Sequence, residues 1–85
     1  MDSVNNTEFP QDRNFRIIAV NSAEAHAEII RTLRRNGIIF NLQENTLSAN
    51  GKYRSYTISA TFGSAEKITQ LSTALADVPF VKYVL

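Results

Sequence analysis

The chain contains no cysteine, so disulfides, thiolate metal centres and thiol redox chemistry are excluded. Net charge is nearly absent too. Nine Lys/Arg against eight Asp/Glu leave +1, which is no electrostatic footprint for nucleic acid. No apolar run approaches the length of a membrane-spanning helix. The opening stretch from Met1 to Glu8 has neither the basic nor the apolar region of a signal peptide. A soluble, cytoplasmic protein without a membrane partner is the expectation.

What is present fits one small domain. Eighty-five residues, 44% of them hydrophobic, can build one core between two layers. A chain of this size buries only roughly 60–65% of the surface its unfolded form exposes. That leaves no room for a core and a deep enclosed site together. Residues 1–12 are polar and lack periodicity, and read as a flexible N-terminal arm in which Phe9 is placed to dock on the domain. The domain proper is expected over residues 13–85.

Asn14 to Val20 is rich in β-branched and aromatic residues and reads as a strand. Ser22 is a good N-cap, and Glu24 in the first turn suits the positive end of a helix dipole. His26, Ile29, Ile30 and Leu33 then recur at helical spacing over 23–36. Arg31, Arg34 and Arg35 crowd the last turn, and Gly37 is the expected left-handed terminator. A second strand starts at Ile38, where Ile38, Phe40 and Leu42 alternate with Ile39, Asn41 and Gln43. Asn50-Gly51 signals a hairpin in which both residues tolerate positive φ.

From Lys52 to Phe62 the third strand divides cleanly by parity. Tyr56, Ile58, Ala60 and Phe62 fall on one face; Tyr53, Ser55, Thr57, Ser59 and Thr61 fall on the other. Ser64 caps a second helix carrying Ile68, Leu71 and Leu75 on one stripe, stopped at Asp77-Val78-Pro79. Phe80 to Leu85 closes the chain as a strand. The order β-α-β-β-α-β with right-handed crossovers predicts an α+β, ferredoxin-like two-layer sandwich. Its four-stranded antiparallel sheet has the order 4-1-3-2, with both helices on one face.

Such a sheet leaves one face uncovered. The first and last strands carry apolar residues at both parities. Whichever of Phe15/Ile17/Ala19 or Arg16/Ile18/Val20 faces the helices, large groups remain outside. The last strand likewise leaves either Phe80/Val84 or Val81/Tyr83/Leu85. These strands are neighbours, so the remainder forms one patch, pointing to a homodimer or a protein partner on the open face.

Chemical signatures are missing. His26 is the only histidine and has no orienting partner evident in the sequence. No Asp/Glu/His cluster has metal-ligand spacing, and Gly51-Lys52 sits in a hairpin rather than in a phosphate loop before a helix. No catalytic residue, cofactor or metal site is assigned, and an enzyme is not expected. The sheet topology is shared with RNA-recognition domains, which need aromatics two apart on the third strand. Tyr53 and Tyr56 are three apart and point to opposite faces, so nucleic-acid binding is expected to be weak at most.

Ser48-Ala49-Asn50-Gly51-Lys52-Tyr53-Arg54-Ser55 resembles the Ser-x-x-Gly-Lys-Tyr-x-Ser stretch of the YbeD-like family of uncharacterised bacterial proteins. Phe9-Pro10 and Val81-Lys82-Tyr83-Val84-Leu85 are similar to that family's ends. The resemblance implies a ferredoxin-like fold akin to ACT regulatory domains, and it brings no established activity. Leu33-Arg34-Arg35-Asn36-Gly37-Ile38-Ile39 is similar to the passage of ACT domains into their second strand. Asn21-Ser22-Ala23 lacks the Gly or Pro turn usual in those that bind amino acids. The resulting expectation is a small non-catalytic regulatory or protein-interaction module. Lys52, Tyr53 and Ser55 would form the polar edge of its partner surface. The alternative is a small-molecule-sensing module with a site at a dimer interface near Asn21–Glu24.

Overall fold

A computed structural model of the chain describes residues 9–85; residues 1–8, most of the expected arm, lie outside them. Six elements follow in order: β1 (Gln11–Val20), α1 (Ala23–Arg35), β2 (Phe40–Leu47), β3 (Tyr53–Phe62), α2 (Ala65–Ala76) and β4 (Val81–Val84). The sheet runs β2-β3-β1-β4, the expected 4-1-3-2 read from the other edge, and every pairing is antiparallel.

Parity settles as the core requires. Phe15, Ile17 and Ala19 of β1 and Tyr56, Ile58, Ala60 and Phe62 of β3 are buried towards the helices. Ile29 and Leu33 of α1 and Leu71 and Leu75 of α2 close over them. Phe15 and Phe62 meet edge to face at 5.8 Å, the geometry aromatic quadrupoles prefer. Of the expected stripe His26, Ile29, Ile30 and Leu33, Ile29 and Leu33 are buried, joined by Ala25 and Thr32, while His26 and Ile30 are half-buried. Thr32 fits there because its hydroxyl donates to the Glu28 carbonyl at 2.8 Å, leaving its methyl for packing. His26 moves to the boundary.

Element ends differ from expectation in traceable ways. β1 begins at Gln11 rather than Asn14, because Gln11 and Asp12 pair with Phe62 and Thr61. Nothing in their polar side chains announces a strand; the length of β3 imposes it. β2 runs from Phe40 to Leu47 instead of starting at Ile38, and its register shifts between Glu44 and Leu47. Ile38 is held instead in the helix stop. Its N–H donates to the Leu33 carbonyl and that of Gly37 to Arg34, a Schellman closure with Gly37 at φ +70°. β4 shortens to Val81–Val84, with a shift opposite Ile18/Ala19. That irregularity lets Val81 and Val84 both pack on the core although they differ in parity. Both helices are capped as expected: Ser22 Oγ accepts from Ala25 N–H and Ser64 Oγ from Lys67 N–H.

Candidate functional site

The open face first. β1 leaves Ile18 half-buried and Val20 exposed; β4 leaves Tyr83 (56% exposed), with Leu85 (67%) just beyond its end. Ile18 lies opposite Tyr83 on one side and Ser55 on the other, and Val20 lies opposite Tyr53. Leu47, 42% exposed, joins them where β2 bends. Ile18, Leu47, Tyr53 and Ser55 share the lining of a shallow depression of about 170 Å³. The Lys82 ammonium lies 5.5 Å from the centroid of the Tyr53 ring, within cation–π range.

Of the three residues expected at the partner surface, Tyr53 and Ser55 stand together on this face. Lys52 is exposed at the end of the turn. Their hydrogen bonds set them apart. The Ser55 hydroxyl accepts from Thr46 N–H at 3.2 Å and donates to its carbonyl at 3.4 Å; it closes the gap in the ladder left by the β2 irregularity. The Ser48 hydroxyl donates to Asn50 Oδ1 and accepts from Tyr53 N–H, while Asn50 Oδ1 also accepts from Lys52 N–H. Ser48 and Ser55 thus serve the backbone. Tyr53 and Lys52 remain available for contact. Leu47 and Lys82 were missed: β2 appeared to end at Gln43, and Lys82 lies beside the β4 irregularity.

A second site lies on the helix side, at the start of α1. Asn21, Ser22, Ala23 and His26 face Glu44, Arg54 and Tyr56 across a cleft of about 290 Å³. Asn21 ties the two walls together. Its amide donates to the Gly51 carbonyl at 3.1 Å, its backbone N–H donates to the Lys52 carbonyl at 3.0 Å, and its Oδ1 accepts from Arg54 Nε. Glu44 is held from both sides, 3.3 Å from His26 Nδ1 and 3.5 Å from Arg54 Nη1. The His26 ring meets Tyr56 edge on at 5.8 Å. Arg54 and Tyr56, two apart on one face of β3, were a legible signal for this cluster. Among the described residues no group of three or more His, Cys, Asp or Glu could hold a metal, and no helix is long and apolar enough to cross a membrane.

Burial pushes the Tyr56 phenol above the ordinary tyrosine range. The Glu44 carboxylate adds to the rise and Arg54 opposes it. The folded state therefore holds this proton more tightly than the unfolded chain does. Stability is unaffected by Tyr56 below the ordinary tyrosine range and falls as pH rises beyond it. In urea titrations at increasing alkalinity, Tyr56→Phe is expected to lose that part of the decline. An unchanged decline would assign it elsewhere.

The solution structure of protein HP0495 from H. pylori matches with a TM-score of 0.80 at 17% identity, covering 100% of this chain and 94% of that one. The ACT domain from the GTP pyrophosphokinase of Chlorobium tepidum gives 0.64 at 18% identity, over 87% and 94% of the two chains. The uncharacterized protein TM1266 from Thermotoga maritima gives 0.62 at 12%, over 88% and 96%. At these identities the likeness is one of fold, and it is the ACT-like fold that the sequence pattern describes. No curated protein matches the chain. The model of DUF493, a family described as protein of unknown function, matches residues 5–85, and the chain belongs to that family.

Proposed function

We propose that this domain is a small, non-catalytic interaction module that regulates by contact, binding a protein partner through the uncovered face of its sheet. The carrying observation is the apolar group Ile18, Val20, Leu47, Tyr83 and Leu85, gathered on one face from three strands. Groups of this size left outside a small domain mark association surfaces. Lys52 and Tyr53 sit at its edge, where polar groups set partner choice more than affinity.

The test combines two variants with two measurements. Lys52→Ala and Tyr53→Ala are each expected to weaken partner capture, or self-association in sedimentation at micromolar concentration, with an unchanged urea midpoint. Lower stability with capture intact in the folded fraction would make both residues parts of the hairpin only. A strictly monomeric chain whose open-face amides are shielded from hydrogen exchange by the Phe9 segment would overturn the reading. A submicromolar, salt-resistant complex with single-stranded RNA would replace it with another.

A further inference from the structure

The uncovered face carries lysines at its edge and, among the described residues, no carboxylate beside them. Lys52 and Lys82 are both exposed, and neither has an acidic group within ion-pair distance among those residues. The acidic side chains lie elsewhere. Glu24, Glu28 and Glu66 belong to the helices, and Asp77 ends α2. Glu44 is turned to the helix side, against His26. Asp12 shares the open face, but it accepts from Thr61 six positions before Ile18 in β1, about 20 Å away at the rise of a strand.

The depression of about 170 Å³ beside the lysines is a socket for carbon. Ile18 and Leu47 give it aliphatic walls, and Tyr53 adds a ring. Its serines are spent on the backbone, Ser48 on the Tyr53 N–H and Ser55 on Thr46. A cavity of roughly 150 Å³ holds a benzene ring, so the socket has room for one leucine- or phenylalanine-sized group. Phe9 lies beyond the far end of β1, where Gln11 pairs with Phe62, and is not placed to supply it. A second copy laid face to face would bring its own two lysines and no carboxylate, and like charges set together select against a pairing. The Lys82 ammonium already lies 5.5 Å from the centroid of the Tyr53 ring, so that ring is no free platform for stacking a nucleic-acid base. Two lysines are also fewer than the roughly four to eight basic residues that mark a surface reading anionic lipid.

We propose, on the reading of the open face as the partner surface, that the partner presents an acidic protein segment. One leucine or phenylalanine side chain seats among Ile18, Leu47 and Tyr53, and carboxylates beside it meet Lys52 and Lys82. The apolar group supplies the buried centre of the contact, and the charges set orientation and partner choice. Lys82 can serve both sides at once. Its ammonium has three donors, so it can hold a carboxylate while it stays over the Tyr53 ring.

Display of short random peptides tests this, with selection on the full chain and on the Lys52→Glu/Lys82→Glu double variant. The full chain is expected to enrich peptides that carry one Leu or Phe among Asp and Glu. The double variant is expected to enrich Lys and Arg in their place. A synthetic copy of the best acidic peptide should shift the Ile18, Leu47 and Tyr53 amide signals saturably and bind the double variant about tenfold more weakly. Both lysines are exposed, so the urea midpoint of that variant should stay level. Binding to the unaltered chain should also weaken as salt rises. Enriched peptides that lack acidic residues yet move the same three amides would overturn the acidic class and leave the open face as a binding surface. Peptides that move other amides instead would overturn the proposal, as would tighter binding of phosphatidylserine vesicles or single-stranded RNA than of the selected peptide. So would failure of any peptide to enrich, and partner capture by Lys52→Ala and Tyr53→Ala would still decide the open face separately.

Discussion

Ile17→Ala is expected to lower stability by about 2–5 kcal/mol, whereas Ile18→Ala, one residue along the same strand, is expected to cost less than about 1 kcal/mol. Ile17 is fully buried in β1, the strand flanked by β3 and β4, and lies opposite Tyr56 and Val84. Truncation there leaves a cavity bounded by a sheet that cannot collapse into it, so the transfer and cavity terms add. Domains of this size have only about 5 kcal/mol or somewhat more to lose, so a loss at the upper end of that range would leave the variant partly unfolded without denaturant. Ile18 faces the open side between Tyr83 and Ser55, where its apolar surface lies outside the core and, under the proposed function, would serve association. Urea midpoints measured by circular dichroism check the first half, and sedimentation of Ile18→Ala checks the second. Equal costs at both positions would mean that the face is covered within the monomer.

That neighbouring pair also shows where sequence reading stopped. The fold was legible because the β3 alternation, the serine caps and Gly37 all pointed to one arrangement. The parity of β1 was not, since Phe15/Ile17/Ala19 and Ile18/Val20 are nearly equal in apolar content. Only packing against Leu33 and Leu71 chooses between them. β4 was harder still. An irregular strand breaks the period-two rule that parity arguments need, and Val81 and Val84 exploit the break.

The cleft was only partly legible: the alternative reading named its Asn21–Glu24 wall but not the wall facing it. Its members come from the β1–α1 connection, α1, β2 and β3, and Glu44 lies one residue past the expected end of its strand. The partners of Arg54, namely Asn21, Glu44 and Asn45, are 33, 10 and 9 residues away by the sequence numbering. Proximity of that kind is set by register, which the sequence alone leaves open between β2 and β3.

Gly51→Val is expected to cost on the order of 1–2 kcal/mol, the penalty for forcing a β-branched residue into left-handed backbone. Gly51 has φ +72°, while no non-glycine residue among those described has a positive φ. Asn50 therefore does not share the left-handed conformation, and the turn is not the two-residue type that Asn-Gly suggested. It is a four-residue connection between Ser48 and Tyr53, closed by Ser48 N–H to the Tyr53 carbonyl at 2.8 Å and Gly51 N–H to the Ser48 carbonyl at 2.9 Å. Asn50 contributes through its side chain instead. A Cβ on Gly51 would meet nothing within 4 Å, so the whole cost is conformational. Gly51→Asn should consequently lose less than half as much, because asparagine tolerates this region. Urea midpoints of the two variants decide the matter; equal losses would mean the damage is to the Asn21 bond at the Gly51 carbonyl. A loosened turn would also free Lys52 and Tyr53, so Gly51→Val should weaken partner capture even in its folded fraction, whereas Gly51→Asn should retain it.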